Sequence, residues 1–293
     1  MHSEFVSCAF MGMSLWDQPD ETGVLMSFVR LRDIELYYET LGEGPPLLML
    51  MGLRRDHTWF HRQTPEFAKH FTVILMDNRG AGQSGTPDEP YTIAGMAEDT
   101  VGLLDALGLE SAHVLGVSMG GCIAQELALS FPQRVRGLVL GCTTCGGAEA
   151  LTTPEHIMQW YADPAGMSPE EILRRNLRIY FSDRYLREKT AEVECFIQMA
   201  LRDRQPMFAF KRQMEALQGF SSASRLPGLS PPTLIATGSD DGLIPAENSL
   251  ILAGLIPDSS LMMYPQGRHC FFMEMASRFN KEVISFLHQV ARA

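Results

Sequence analysis

No apolar run in this 293-residue chain approaches the roughly 18 residues that a membrane-spanning helix needs. Positive charge is also scarce. Lys and Arg number 24 against 35 Asp and Glu, a net charge of −11. That balance argues against nucleic acid and anionic membrane surfaces as partners. Cysteine is present but unpatterned. Cys8, Cys122, Cys142, Cys145, Cys195 and Cys270 follow no framework spacing of a small secreted scaffold, so free thiols and a cytoplasmic location are expected. Cys142-Thr143-Thr144-Cys145 is a C-x-x-C, but no partner pair and no thioredoxin-type helix start accompanies it. The eight histidines show no H-E-x-x-H spacing, so no catalytic metal is indicated. Residues 1–25 have no positive n-region before an apolar core and read as a flexible N-terminal extension rather than a signal peptide. Internal repeats and low-complexity segments are lacking.

What is there is ordinary globular composition, 45% hydrophobic and 20% charged. A chain of this length buries a sizeable core without staples. Residues 28–38 alternate in polarity around Arg32-Asp33 and predict an antiparallel hairpin at a sheet edge. After the turn Gly42-Glu43-Gly44-Pro45-Pro46 the pattern changes to short continuous apolar runs: 47–51, 73–76, 114–117, 138–140, 234–236 and 261–263. Runs of this kind suit strands buried on both faces of a parallel sheet. Helical patterns alternate with them, one ended by Gly108 and another by Phe131-Pro132. The expected fold is α/β, a mostly parallel eight-stranded sheet with helices on both faces. Between 142 and 230 the alternation stops. Thr153-Pro154-Glu155, the capping box Ser168-Pro169-Glu170-Glu171 and Pro206 each start a helix there. An all-helical cap is therefore expected at 142–230, inserted into a core made of 26–141 and 231–293.

Chemistry enters at Gly116-Val117-Ser118-Met119-Gly120, followed by Gly121. An apolar strand pattern runs into it and a helical pattern leaves it. A serine between two glycines at a strand-to-helix turn is a nucleophile elbow. The glycines are needed because strand and helix pass too closely for a Cβ. The pattern alone recurs by chance, so its context decides.

With three further motifs the chain resembles the α/β-hydrolase family from about residue 27 onward. Met51-Gly52-Leu53 ends the first long apolar run, where the family often has His-Gly. Asp77-Asn78-Arg79-Gly80-Ala81-Gly82-Gln83-Ser84 matches the family's D-x-R-G-x-G-x-S turn. Gly238-Ser239-Asp240-Asp241-Gly242-Leu243-Ile244-Pro245 and Gly267-Arg268-His269 form a late pair. The resemblance implies a triad in the order Ser118, Asp241, His269, with each member just beyond a predicted strand. Similar sequences place the acid three residues after the glycine, which selects Asp241 over the alternative Asp240. A serine needs a neutral imidazole to take its proton, and a carboxylate to orient that imidazole. The backbone N–H groups of Leu53 and Met119 are the implied oxyanion donors.

Arg79 reads as a structural cation in a tight turn. Arg54 and Arg55, directly beyond an oxyanion donor, read either as solvated or as a clamp for a substrate carboxylate. Trp160 and other cap aromatics could line the pocket. His57, His61, His70, His113 and His156 are expected to be surface or packing residues.

The resemblance implies a cofactor-independent serine hydrolase acting on a small carboxylic ester through an acyl-enzyme, as a monomer or a homodimer. Enol-lactone hydrolysis and carbon–carbon bond hydrolysis of ring-cleavage products are the alternatives on the same scaffold. The latter group resembles one another in a Gly-Ser-Gly-Pro-Gly loop absent here. A non-catalytic ligand-binding module is the alternative of a different class.

Overall fold

The alternating segment forms β1 (Leu25–Leu31) and β2 (Ile34–Leu41), an antiparallel pair turning at Arg32-Asp33. Every second residue of β1 is exposed, as its polarity pattern requires. The apolar runs form β3 (Pro46–Leu50), β4 (Thr72–Met76), β5 (Ala112–Val117), β6 (Val135–Gly141), β7 (Thr233–Gly238) and β8 (Ser259–Tyr264). The eight strands make one sheet in the order β1-β2-β4-β3-β5-β6-β7-β8. Strands β3 to β8 run parallel, and β2 meets β4 antiparallel. All residues of β5 and β7 are buried, which explains their unbroken apolar character. This computed structural model describes residues 25–162, 166–202 and 205–292, without the side chains of 160–162. The expected N-terminal extension falls, apart from Leu25, outside the described residues.

The helices are α1 (Thr64–Phe67), α2 (Ile93–Ala106), α3 (Met119–Ser130), α4 (Glu155–Ala162), α5 (Pro169–Tyr180), α6 (Asp183–Glu188), α7 (Thr190–Ala200), α8 (Met207–Gln218), α9 (Glu247–Leu255), α10 (Phe271–Glu274) and α11 (Ala276–Val290). The period-two alternation of the strands sends neighbours to opposite sheet faces. Leu48, Leu50, Ile74, Val114 and Leu138 pack with α2, α3 and α9. Leu47, Met49, Val73, Leu115 and Val139 pack on the other side with Phe67, Phe279, Val283 and Leu287. Helices therefore cover both faces, as the apolar runs required.

Helices α4 to α8 lie between β6 and β7. The capping box is formed: Ser168 Oγ accepts the Glu171 N–H, and the Glu171 carboxylate accepts the Ser168 N–H. Trp59, Tyr180, Phe181, Tyr185 and Phe196 form a stack of rings between this insertion and the sheet, with Trp59 and Phe196 meeting edge-to-face at 4.8 Å. The outgoing and returning necks of the insertion are tied together. The Ser222 N–H donates to Cys145 O at 2.8 Å, and Gly146 bridges Ser221. Among the described residues no helix is long and apolar enough to cross a membrane.

Candidate active site

Strand β5 delivers Ser118 to the carboxyl edge of the sheet and α3 begins at the next residue. Ser118 adopts φ 55°, ψ −122°, a conformation that side chains rarely take and that costs on the order of 1–3 kcal/mol. Its surroundings hold it there. The Ser118 N–H donates to Gly141 O at 2.9 Å, and Ser118 O accepts from the Gly121 N–H at 2.9 Å and from Thr143 Oγ1 at 2.7 Å. The flanking glycines are sterically required. A Cβ on Gly116 would meet Gly120 O at 2.2 Å, and one on Gly120 would meet Leu50 O at 2.0 Å. Val117 and Met119 are buried, whereas Ser118 is partly open.

His269 follows β8 and precedes α10. Its Nδ1 lies 2.8 Å from Asp241 Oδ2, with both residues buried. Asp241 Oδ1 accepts the N–H groups of Leu243 and Ile244 at 2.9 and 3.0 Å. The carboxylate is thus oriented from both sides. Asp240 instead is exposed and accepts from Ser239 Oγ. A carboxylate only accepts, so the Asp241 contact assigns a proton to His269 Nδ1, and in a neutral imidazole Nε2 is then the acceptor.

Ser118 and His269 line one cavity of about 140 Å³ together with Gly52, Leu53, Arg55, Trp59, Cys142 and Phe272. Met158 from α4, Tyr180 at the end of α5, and Met214 and Leu217 from α8 close it from the insertion side. Of the expected oxyanion donors, Leu53 stands three residues beyond β3 and Met119 is the first residue of α3, directly after Ser118. The register pairs Leu50 with Gly116, which brings the ends of β3 and β5 together. A Cβ on Gly52 would lie 3.0 Å from Ser118 Cβ, so the Met51-Gly52 peptide passes directly against the serine. Asn78 Nδ2 holds that stretch by donating to Met51 O at 2.7 Å.

The two arginines separate. Arg55 lines the cavity, with its guanidinium 4.2 Å from the Trp59 ring centre and Nη2 3.3 Å from the Tyr180 hydroxyl. Arg54 is not among the cavity-lining residues. It occupies the left-handed position of a turn (φ 73°) in which the Arg55 N–H donates to Gly52 O at 3.3 Å. Its N–H is bound by Gln213 Oε1 at 2.9 Å. Trp160 belongs to α4, and its side chain lies outside the described residues.

Arg79 holds Asp99 through Nε and Nη2 at 2.8 Å and Asp33 through Nη1 at 2.6 Å. This buried clamp ties the turn after β4 to α2 and to the β1–β2 hairpin. His57 is buried between two carboxylates, Asp77 at 2.7 Å and Glu39 at 2.9 Å. Burial works to lower its pKa. The hydrogen bonds to Asp77 and Glu39 outweigh burial and raise the pKa to about 10. His57 is therefore a structural imidazolium. His113 shows the opposite balance, where burial, helped by the Arg136 charge, lowers its pKa to about 4.

Cys142, Asp241 and His269 offer ligand atoms within 4.8 Å of one another. Asp241 and His269 are already bonded to each other, and burial followed by the nearby Asp241 charge keeps the Cys142 thiol protonated. No metal is assigned to this set. Cys142 also carries a left-handed backbone, φ 38°, at the cavity wall.

The family model for the alpha/beta hydrolase fold matches residues 45–276. The chain belongs to the α/β-hydrolase family. It is 30% identical over 269 residues to a protein of Azorhizobium caulinodans named putative carbamate hydrolase RutD, covering 90% of this chain and 99% of that one. It is 32% identical over 218 residues to a poly(3-hydroxyalkanoate) depolymerase of Ectopseudomonas oleovorans, covering 74% and 75%. Among solved structures it resembles a thermophilic esterase from Thermogutta terrifontis, with TM-score 0.76, 28% identity and coverage of 88% and 94%. The chain is thus a hydrolase of this fold.

Proposed function

We propose that this hydrolase cleaves small carboxylic esters through an acyl-enzyme on Ser118. The observation that carries the reading is the 2.8 Å contact of His269 Nδ1 with buried Asp241, closed onto the same cavity as the strained Ser118. With Nδ1 committed to Asp241, His269 Nε2 takes the Ser118 proton as Oγ attacks the ester carbonyl. The oxyanion formed is received by the N–H groups of Leu53 and Met119, the latter at the positive end of α3. His269 then protonates the departing alcohol. It next takes a proton from water, which attacks the acyl carbonyl, and returns that proton to Ser118 Oγ as the acid departs. Relatives named for carbamate, polyester and ester hydrolysis fit the same acyl-transfer chemistry.

Arg55 favours a second reading at the level of substrate. A guanidinium fixed on Trp59 at the wall of an apolar cavity suits a substrate that carries a carboxylate, an enol lactone among them.

The test is hydrolysis of p-nitrophenyl butyrate by the wild type and Ser118→Ala, with fluorophosphonate labelling of both. Wild-type turnover and labelling, both lost in Ser118→Ala, are expected. An active Ser118→Ala overturns the mechanism. A wild type that neither labels nor hydrolyses esters, lactones or dienoate ketones supports a binding module instead.

A further inference from the structure

The Gly52–Leu53 peptide is held on both of its flanks. On one side the core fixes Met51 O through Asn78. On the other side the fixing group comes from the insertion. Gln213 of α8 has no solvent exposure, and its Oε1 accepts the Arg54 N–H at 2.9 Å. Its Nε2 donates to Arg79 O at 2.8 Å, so the amide cannot rotate away without losing both bonds. Gln205 adds a brace, donating to Gln213 Oε1 at 2.9 Å and to Gly80 O at 2.7 Å. Arg54 stands at φ 73°, where a non-glycine residue persists only if its surroundings hold it.

We propose that Gln213 is a positioning residue for the oxyanion hole, through which the helical insertion supplies part of the catalytic geometry. The inference rests on the reading of Ser118 and Leu53 given above. Leu53 lies between the two anchored points. The anchor at Arg54 sets the last dihedral of Leu53 and, through the turn, the direction of its N–H. With α8 docked, the turn holds Leu53 at the wall of the cavity that Ser118 also lines. With α8 displaced, the turn is free to relax from its left-handed conformation and the donor swings away. Docking of the insertion and readiness of the oxyanion hole are then one event.

A side chain that only fixes the fold would change stability and leave transition-state binding alone. Gln213→Leu, which removes the acceptor for the Arg54 N–H, is therefore compared with the wild type. Three quantities are measured: kcat and KM for p-nitrophenyl butyrate, the Ki of an alkyl trifluoromethyl ketone, and thermal unfolding. The ketone forms a tetrahedral oxyanion adduct with the serine. For Gln213→Leu, kcat should fall about 10- to 100-fold with KM within about threefold, and ketone affinity should fall by a similar factor. If the leucine variant does not fold, Gln213→Asn, which withdraws the acceptor by one methylene, is read in the same way. A folded Leu or Asn variant with wild-type kcat and ketone affinity overturns the proposal. An active Ser118→Ala instead overturns the serine mechanism itself, so the two failures are distinguishable.

Discussion

The guanidinium of Arg55 lies 4.2 Å from the ring centre of Trp59, in a cavity whose other walls are mostly apolar. The stack and the Tyr180 hydroxyl fix the direction of this cation before a substrate arrives. Arg55→Leu should therefore lower kcat/KM for a half-ester of a dicarboxylic acid by about 10- to 100-fold, and for a neutral ester of the same size by less than about threefold. Arg55→Lys should recover only part of the difference, since an ammonium cannot stack in the same plane. Equal losses on charged and neutral esters would remove the carboxylate role.

The cavity, at about 140 Å³, is close to the size that accommodates benzene in an engineered protein core. Short acyl chains should be turned over best, with kcat/KM falling beyond about six carbons. Leu217→Ala removes bulk on the α8 side and should shift the optimum to longer chains. A chain-length series of p-nitrophenyl esters measures both. An optimum at long chains in the wild type would show that the cavity volume does not limit the acyl group.

His57 links stability to pH. Its pKa is about 10 in the fold, above the ordinary histidine value of 6.5. A raised pKa means the folded state binds the proton more tightly, so the contribution is complete below about pH 6.5 and is lost as pH rises through about 10. His57→Gln should destabilise by an amount on the order of a few kcal/mol at pH 6, and the gap to wild type should shrink towards pH 10. Urea unfolding across that range checks it. A gap that widens with pH would show that His57 folds as a neutral group.

The elbow tolerates no side chain at Gly120, where a Cβ would stand 2.0 Å from Leu50 O. Gly120→Ala should cost at least about 3 kcal/mol in urea unfolding, because backbone must move. Gly254 in α9 is different: a Cβ added there would meet nothing within 4 Å, and Gly254→Ala should be neutral or mildly stabilising. Similar costs at the two positions would show that close packing is not what demands Gly120.

The sheet is legible in the sequence because strands buried on both faces need continuous apolar runs, which β3 to β7 have. The elbow is legible because close approach leaves no choice but glycine. The insertion is less so. Helix α6 has only six residues and packs through Tyr185 on Phe181, and α7 docks through Phe196 on Trp59 and Phe181, contacts that no local pattern announces. Gln213 carries no signal, since a glutamine within a helix usually faces water. His57 reads as a surface or packing residue; its partners come from β2 and from the turn after β4, which only the fold brings together. Arg54 and Arg55 look equivalent by adjacency, and the turn between them gives them different surroundings.

The tied necks at Cys145 and Ser222 have a consequence for how such a molecule diversifies. The chain enters and leaves the helical insertion at one address, with a backbone bond across the gap. Residues 147–220 can therefore lengthen, shorten or be exchanged without shifting the ends of β6 and β7 that carry the elbow's neighbours. Selectivity can drift in the cavity-facing side chains of the insertion, while Ile179 O and Tyr180 O, which accept the N–H groups of His269 and Cys270, tie its backbone to the bond-breaking apparatus. Gln213 limits that freedom: any replacement module must bring its own acceptor for the Arg54 N–H.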